Sequence, residues 1–178
     1  MASLILTVIG PDRPGLVRAL AHAVAAHGGS WLESRMARLA GQFAGIVMVE
    51  APDTLLADLR ALESEGLRIV VHPGAAGDPP AGEHPPAGDQ LIVEVVGNDR
   101  PGIVRDVARV LAEHGVNIED LTTGVVSGSF SGETLFKATA LVRAPDAASV
   151  SAIRAGLEFL SNEMMVDIQP AGDGQRPG

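Results

Sequence analysis

Alternating apolar positions open the chain and predict a short β-strand. Leu4, Leu6 and Val8 share one face of this strand, which ends at a turn over residues 10–13. Apolar residues then recur at helical spacing. The predicted helix starts at Pro14, because proline suits the first helical position, and it stops at Gly28.

The pattern next predicts a hairpin, a second helix and a last strand. The hairpin strands cover residues 31–39 and 43–50, the helix 52–66 and the strand 67–71. This order, βαββαβ, predicts an α+β fold with a four-stranded antiparallel sheet and both helices on one face. That is the ferredoxin-like arrangement.

The whole pattern occurs twice. Residues 7–18 read TVIGPDRPGLVR and residues 94–105 read EVVGNDRPGIVR, an offset of 87 from Gly15 to Gly102. The second copy is therefore predicted to have the same six elements in the same order. Its strands are predicted at 91–96, 116–126, 135–142 and 164–168, and its helices at 101–113 and 147–160.

A Pro/Gly-rich segment separates the copies. Residues 73–88 read PGAAGDPPAGEHPPAG, which has no apolar periodicity and is typical of a linker. The first domain is thus predicted at residues 1–72 and the second at 89–170. Residues 171–178 are predicted to form a disordered tail.

The amino-acid composition excludes several classes of function. The 178 residues carry a net charge of −9 and only 3% aromatic side chains, without a clustered basic face, so direct nucleic-acid binding is not expected. The absence of Cys excludes thiolate metal sites and Cys nucleophiles. No apolar stretch approaches about 20 residues. We therefore expect a soluble cytoplasmic protein without a membrane segment.

The loop before the first helix of each copy carries the candidate chemistry. A helix start exposes backbone N–H groups and partial positive charge, which suit a carboxylate. Asp12 or Asp99 could hold an ammonium group nearby, so that one loop could bind both charged groups of an α-amino acid. The predicted amide donors are Gly15, Leu16, Val17, Gly102, Ile103 and Val104.

A purely structural role for these loops is the alternative. An Asp before a helix can cap it, and Pro and Gly can serve only to shape a tight turn. Residue types alone do not separate these two interpretations.

The sequence resembles the ACT domain, a regulatory ligand-binding module of amino-acid metabolism. The resemblance rests on the two DRPG loops, on the segment HGVNIED at residues 114–120, and on the βαββαβ order. It covers nearly the whole chain outside the linker and tail. In ACT domains, ligands are commonly bound where two domains meet, by the first loop and the start of the second strand.

This resemblance implies ligand-binding residues in both copies. In the first copy they are Asp12, Arg13, Pro14, Gly15 and Leu16, with Ser30 and Trp31. In the second copy they are Asp99, Arg100, Pro101, Gly102 and Ile103, with Asn117 and Ile118. Asn117 offers both a donor and an acceptor where Ser30 has one hydroxyl, so the second copy is the better candidate for an amino-acid site.

The resemblance also implies a function. We expect a regulatory protein that binds a small amino acid, with glycine and serine as first candidates, and that controls transcription or metabolism through a partner such as a transcriptional activator. A homodimer is expected, with no catalytic residues, cofactor or metal. A ligand-independent interaction module and a small enzyme are the alternatives.

Overall fold

The computed structural model describes residues 1–64, 66–74, 88–127, 134–160 and 164–171. These residues form two compact units, one for each copy of the repeat. The predicted linker at residues 73–88 and the predicted tail at 171–178 lie mostly outside the described residues. No helix within the described part of the chain is long and apolar enough to cross a bilayer.

The first unit is an α+β fold with the predicted βαββαβ order. Its four strands form one antiparallel sheet in the order β2-β3-β1-β4. The elements are β1 (Ala2–Pro11), α1 (Leu16–Ala26), β2 (Ser30–Leu39), β3 (Gln42–Ala51), α2 (Leu55–Ser64) and β4 (Arg68–Pro73).

The second unit repeats this architecture, with the sheet order β6-β7-β5-β8. The duplication therefore extends from sequence to strand register, and the predicted ferredoxin-like fold is confirmed. The elements are β5 (Asp89–Asn98), α3 (Ile103–Glu113), β6 (Asn117–Ser127), β7 (Thr134–Ala144), α4 (Ala147–Leu160) and β8 (Met165–Pro170).

Each unit has its own apolar core between sheet and helices. In the first unit, Leu6 of β1 and Val47 of β3 meet Leu20 of α1 and Leu55 of α2, all fully buried. The alternate residues of β1 face away from the helices, as the twofold period of a strand requires. Burial of one sheet face thus places the core of each unit between its sheet and its two helices.

The first helix of each unit begins later than predicted. Pro14 precedes α1, which starts at Leu16, and Pro101 likewise precedes α3, which starts at Ile103. The reason is the residue between them: Gly15 has φ +93° and Gly102 has φ +86°. This left-handed conformation cannot continue a right-handed helix, so each glycine becomes the N-cap.

Candidate functional site

The loop after β1 is tied to the β2–β3 turn. The Asp12 N–H donates to the carbonyl of Gly41 at 2.9 Å, and the Asp12 carboxylate pairs with the Arg38 guanidinium. The loop is therefore held by the hairpin. The Asp12 carboxylate, predicted to hold an ammonium group, already has a cation beside it.

The start of α1 lacks a side-chain cap. No side-chain hydrogen bond caps its N-terminus, and no acidic residue stands in its first turn. The Gly15 carbonyl accepts from the Ala19 N–H at 2.9 Å, the first hydrogen bond of the helix. The alternative in which Asp12 caps α1 is therefore excluded. The first-turn amides remain the positive end of the helix dipole.

The loop after β5 has the same shape but different chemistry. The Asp99 N–H donates to the carbonyl of Thr134 at 3.1 Å, and Gly102 starts α3 without a side-chain cap. The Ile103 N–H, however, donates to the Arg100 carbonyl at 3.3 Å. The prediction that this amide is an open donor is therefore wrong, because the turn itself uses it.

Two arginines hold a carboxylate of the protein near the start of α3. Asp106 lies in the first turn, and its Oδ2 accepts from Arg100 Nη1 at 2.8 Å. Its Oδ1 accepts from Nε and Nη2 of Arg105 at 3.1 and 2.9 Å. Hydrogen bonds from Arg100 and then Arg105 lower the pKa of the Asp106 carboxyl. Negative charge is thus already supplied to this helix end, whereas α1 has Ala19 at the equivalent position.

The predicted strand-start residues lie far from the loops within each unit. Ser30 pairs with Glu50, which pairs with Ser3 near the start of β1. The loop instead follows Pro11, eight residues further along β1 (11 minus 3). At about 3.3 Å per residue, this separation is roughly 25 Å. One unit alone does not bring these two parts of the predicted site together.

The second unit has the same separation. Asn117 pairs with Arg143, which pairs with Gln90, and Asn98 precedes the loop eight residues along β5 (98 minus 90). Trp31 and Ile118 are half-buried and pack against the cores of their units. Among the predicted strand-start residues, only Ser30 and Asn117 are therefore exposed.

A groove on the helix side of the first unit was not predicted. It lies between α1 and α2 and encloses about 520 Å³, a volume in the range of small-molecule sites. It begins beside the N-cap glycine of α1. Its lining residues are Gly15, Arg18, Ala19, His22, Ala23, Asp58, Ala61 and Leu62.

A histidine fixes the acidic edge of this groove. His27 Nε2 lies 3.0 Å from an Asp58 carboxylate oxygen, and its Nδ1 lies 3.0 Å from Thr54 Oγ1. The end of α1 is thereby joined to α2. Sequence spacing alone does not reveal this contact, because it does not show which helices meet.

The chain belongs to the ACT-domain family. The sequence model of the ACT domain matches residues 2–70 and 89–170, which is most of the chain. Membership supports a regulatory role based on small-molecule binding.

Relatives agree with this assignment. A UPF0237 protein of Methanopyrus kandleri is 40% identical over 80 residues, covering 44% of this chain and 82% of the relative. One of Methanococcus maripaludis is 35% identical over 81 residues, covering 45% and 83%. Each relative thus corresponds in length to one copy of the repeat.

Solved structures match the chain over both units. A protein of unknown function from Galdieria sulphuraria is 28% identical with a TM-score of 0.77, covering 95% of this chain and 98% of that one. A structure bearing the name of a glycine cleavage system transcriptional repressor covers the same shares, with a TM-score of 0.65 and 16% identity. The second likeness concerns the fold, a tandem of two ACT-type domains.

Proposed function

We propose that this protein is a non-enzymatic sensor that binds a small amino acid and passes the signal to a partner protein. The observation that carries the proposal is the pair of helix starts, each opened by a left-handed glycine and lacking a side-chain cap, in an ACT fold. Such helix ends favour a carboxylate, and glycine lets a ligand approach the main chain.

The second loop offers the better partner for an ammonium group. The Asp99 side chain is exposed and has no ion-pair or hydrogen-bond partner among the described residues, whereas Asp12 is paired with Arg38. The first loop is the better partner for the ligand carboxylate, because Asp106 already lies in the first turn of α3. The two copies are therefore expected to differ in ligand preference.

The distance between loop and strand start adds a geometric requirement. Since roughly 25 Å separates them within a unit, the site implied by the ACT resemblance needs a second domain to supply one half. Ligand binding would then stabilise one association of domains over another, and the shift equals the difference in affinity for the two associations. This supports the expectation of an oligomer, a homodimer being the simplest.

A catalytic role has less support. No polar or charged side chain is buried among the described residues, and the same part of the chain has no cluster of three or more metal-ligand side chains. Arginines lower the pKa of the Asp106 carboxyl, and the Ser149 backbone N–H lowers the pKa of the Asp146 carboxyl. A lowered carboxyl pKa suits an ion pair or a helix cap better than a proton donor.

Calorimetric titration of the full chain with the twenty amino acids tests the proposal. Binding of at least one small amino acid is expected, with Asp99→Ala and Asn117→Ala each weakening it about tenfold or more, the order of one charge-assisted hydrogen bond. Asp89→Ala, an exposed change in the same unit, serves as the control. Absence of heat with every amino acid would contradict the sensor.

Ligand-independent association is the second candidate. On the sheet face away from the helices, Ile46 lies in register with Thr7, and Thr7 with Val70. Ile46 is 55% exposed, Val70 47% and the neighbouring Ile9 45%, an apolar strip that suits a protein contact. Mass measurement in solution, with and without amino acids, separates the candidates. An unchanged dimer or complex that ignores amino acids would favour this second function.

A further inference from the structure

The two copies carry matched basic residues on their first helices but unmatched acids. At the offset of 87, Arg18 and His22 of α1 correspond to Arg105 and Arg109 of α3. In α3 both are neutralised: Arg105 pairs with Asp106 at 2.9 Å, and Arg109 pairs with Glu113 at 2.9 Å.

In α1 both of these acids are replaced by alanine. Ala19 stands at the position of Asp106, and Ala26 at that of Glu113. Within the described residues, neither Arg18 nor His22 has an ion-pair or hydrogen-bond partner for its side chain. The first unit therefore presents a basic helix face. It lacks the two acidic residues that neutralise this face in the second unit.

This basic face borders the groove between α1 and α2. Arg18 and His22 both line the groove, and its apolar lining includes Ala23, Ala61 and Leu62. The cavity of about 520 Å³ is larger than a single anion requires. It would accept a molecule with a charged end and a short apolar body.

In the second unit, side chains fill the equivalent place between the helices. Buried Leu55 and Leu59 of α2 correspond to buried Ile153 and Leu157 of α4, an offset of 98, which aligns Asp58 with Gly156.

A Cβ added at Gly156 would lie 2.8 Å from Val110 Cγ1, so α3 and α4 leave no room there for a side chain. The first unit has the smaller Ala23 in place of Val110, and its helices leave the groove open. Compared with the second unit, the first unit therefore lacks one carboxylate and has space in which a ligand could supply it.

We propose that the groove between α1 and α2 binds a small organic monocarboxylate, whose carboxylate takes the role that Asp106 plays in the second unit. Arg18 is its main cationic partner, and His22 adds to the basic rim. The apolar body of the ligand lies against the alanines and Leu62. Because Asp58 also lines the groove, a second negative charge on the ligand is disfavoured.

Titration of the full chain with butyrate, monitored by NMR, tests this site. Saturable shifts are expected in the amide resonances of α1 and α2. Arg18→Ala should weaken butyrate binding about tenfold or more, the usual effect of losing one charged hydrogen bond. Arg60→Ala, which removes an exposed arginine of α2 outside the groove, should leave binding unchanged.

Ala19→Asp gives the sharpest comparison, because it rebuilds the carboxylate of the second unit. Butyrate binding should be lost while the fold is retained, since α3 already accommodates Asp106 at this position. Ala25→Asp places the same charge on an exposed part of α1 outside the groove and should keep binding. Equal butyrate affinity in wild type, Arg18→Ala and Ala19→Asp would overturn the proposal.

Inorganic phosphate and succinate test the chemical class. Both should bind at least tenfold more weakly than butyrate, and equal or tighter binding of either would overturn the monocarboxylate assignment. The groove and the first loop share Gly15, so the two proposals are distinguished at the second loop, which the groove does not include. Asp99→Ala should weaken amino-acid binding without affecting butyrate, and Ala19→Asp should abolish butyrate binding whether or not amino acids bind at the loops.

Discussion

At the scale of single residues, one substitution separates the two helix starts. Asp106 brings a carboxylate to the first turn of α3, where Arg100 and Arg105 hold it, whereas Ala19 leaves the first turn of α1 without an acid. The loops look equivalent in sequence because both read DRPG. Their electrostatic character is decided four residues after the glycine, outside the motif.

The Asp106 ion pair predicts a pH-dependent contribution to stability. Arg100 and Arg105 lower the folded-state pKa of this carboxyl below its unfolded value of about 4. The contribution is therefore fully present above about pH 4 and is lost as the pH falls through the lower, folded-state pKa. Thermal midpoints of wild type and Asp106→Asn should differ most above pH 4 and converge in acid. A difference that stays constant down to pH 2 would contradict this.

At the scale of elements, the close contact between α3 and α4 depends on Gly156. An added Cβ would lie 2.8 Å from Cγ1 of Val110, a stiff β-branched side chain. Gly156→Ala should therefore destabilise the second unit by about 1–3 kcal/mol, reduced by up to about 1 kcal/mol of gained helix propensity.

Denaturant unfolding of Gly156→Ala, of Val110→Ala and of the double variant Gly156→Ala/Val110→Ala measures this effect. In the double variant the steric part of the loss should be relieved, so that the two changes are not additive. Strict additivity would show that the two side chains do not collide.

The sequence predicts the elements well because alternation and helical spacing report burial directly. The predicted helix at 147–160 coincides with α4, and the hairpin of the first copy turns where expected, between Leu39 and Gln42. The starts of α1 and α3 were misplaced by two residues, because the preference of proline for the first helical position gives way to the left-handed glycine that follows. The helix predicted from residue 52 begins at Leu55.

The candidate site was less predictable. The DRPG motif predicted a ligand site in each loop, but Asp12 pairs with Arg38, 26 residues away. The direction of the strands also places Ser30 far from Gly15. The groove lies between two helices whose facing residues depend on packing. One signal was nevertheless in the sequence: the exchange of Asp106 and Glu113 for alanines between otherwise matched helices.

At the scale of the whole molecule, two ACT units offer related but unequal surfaces. The first has the open groove and the apolar strip, whereas the second has Asp106 in the first turn of α3 and an Asp99 carboxylate without a partner among the described residues. The net charge of −9 adds no attraction for nucleic acid. Such a difference between the surfaces of the two units is expected of a protein that binds a ligand with one surface and another protein with a second.

The most direct test of the sensor is an NMR titration of the ¹⁵N-labelled full chain with glycine and serine. If the uncapped helix starts receive the ligand carboxylate, the amide resonances of Gly15, Leu16, Gly102 and Val104 should show the largest, saturable shifts. A folded chain in which none of these four resonances moves with either ligand, or with any other of the twenty amino acids, would contradict the account.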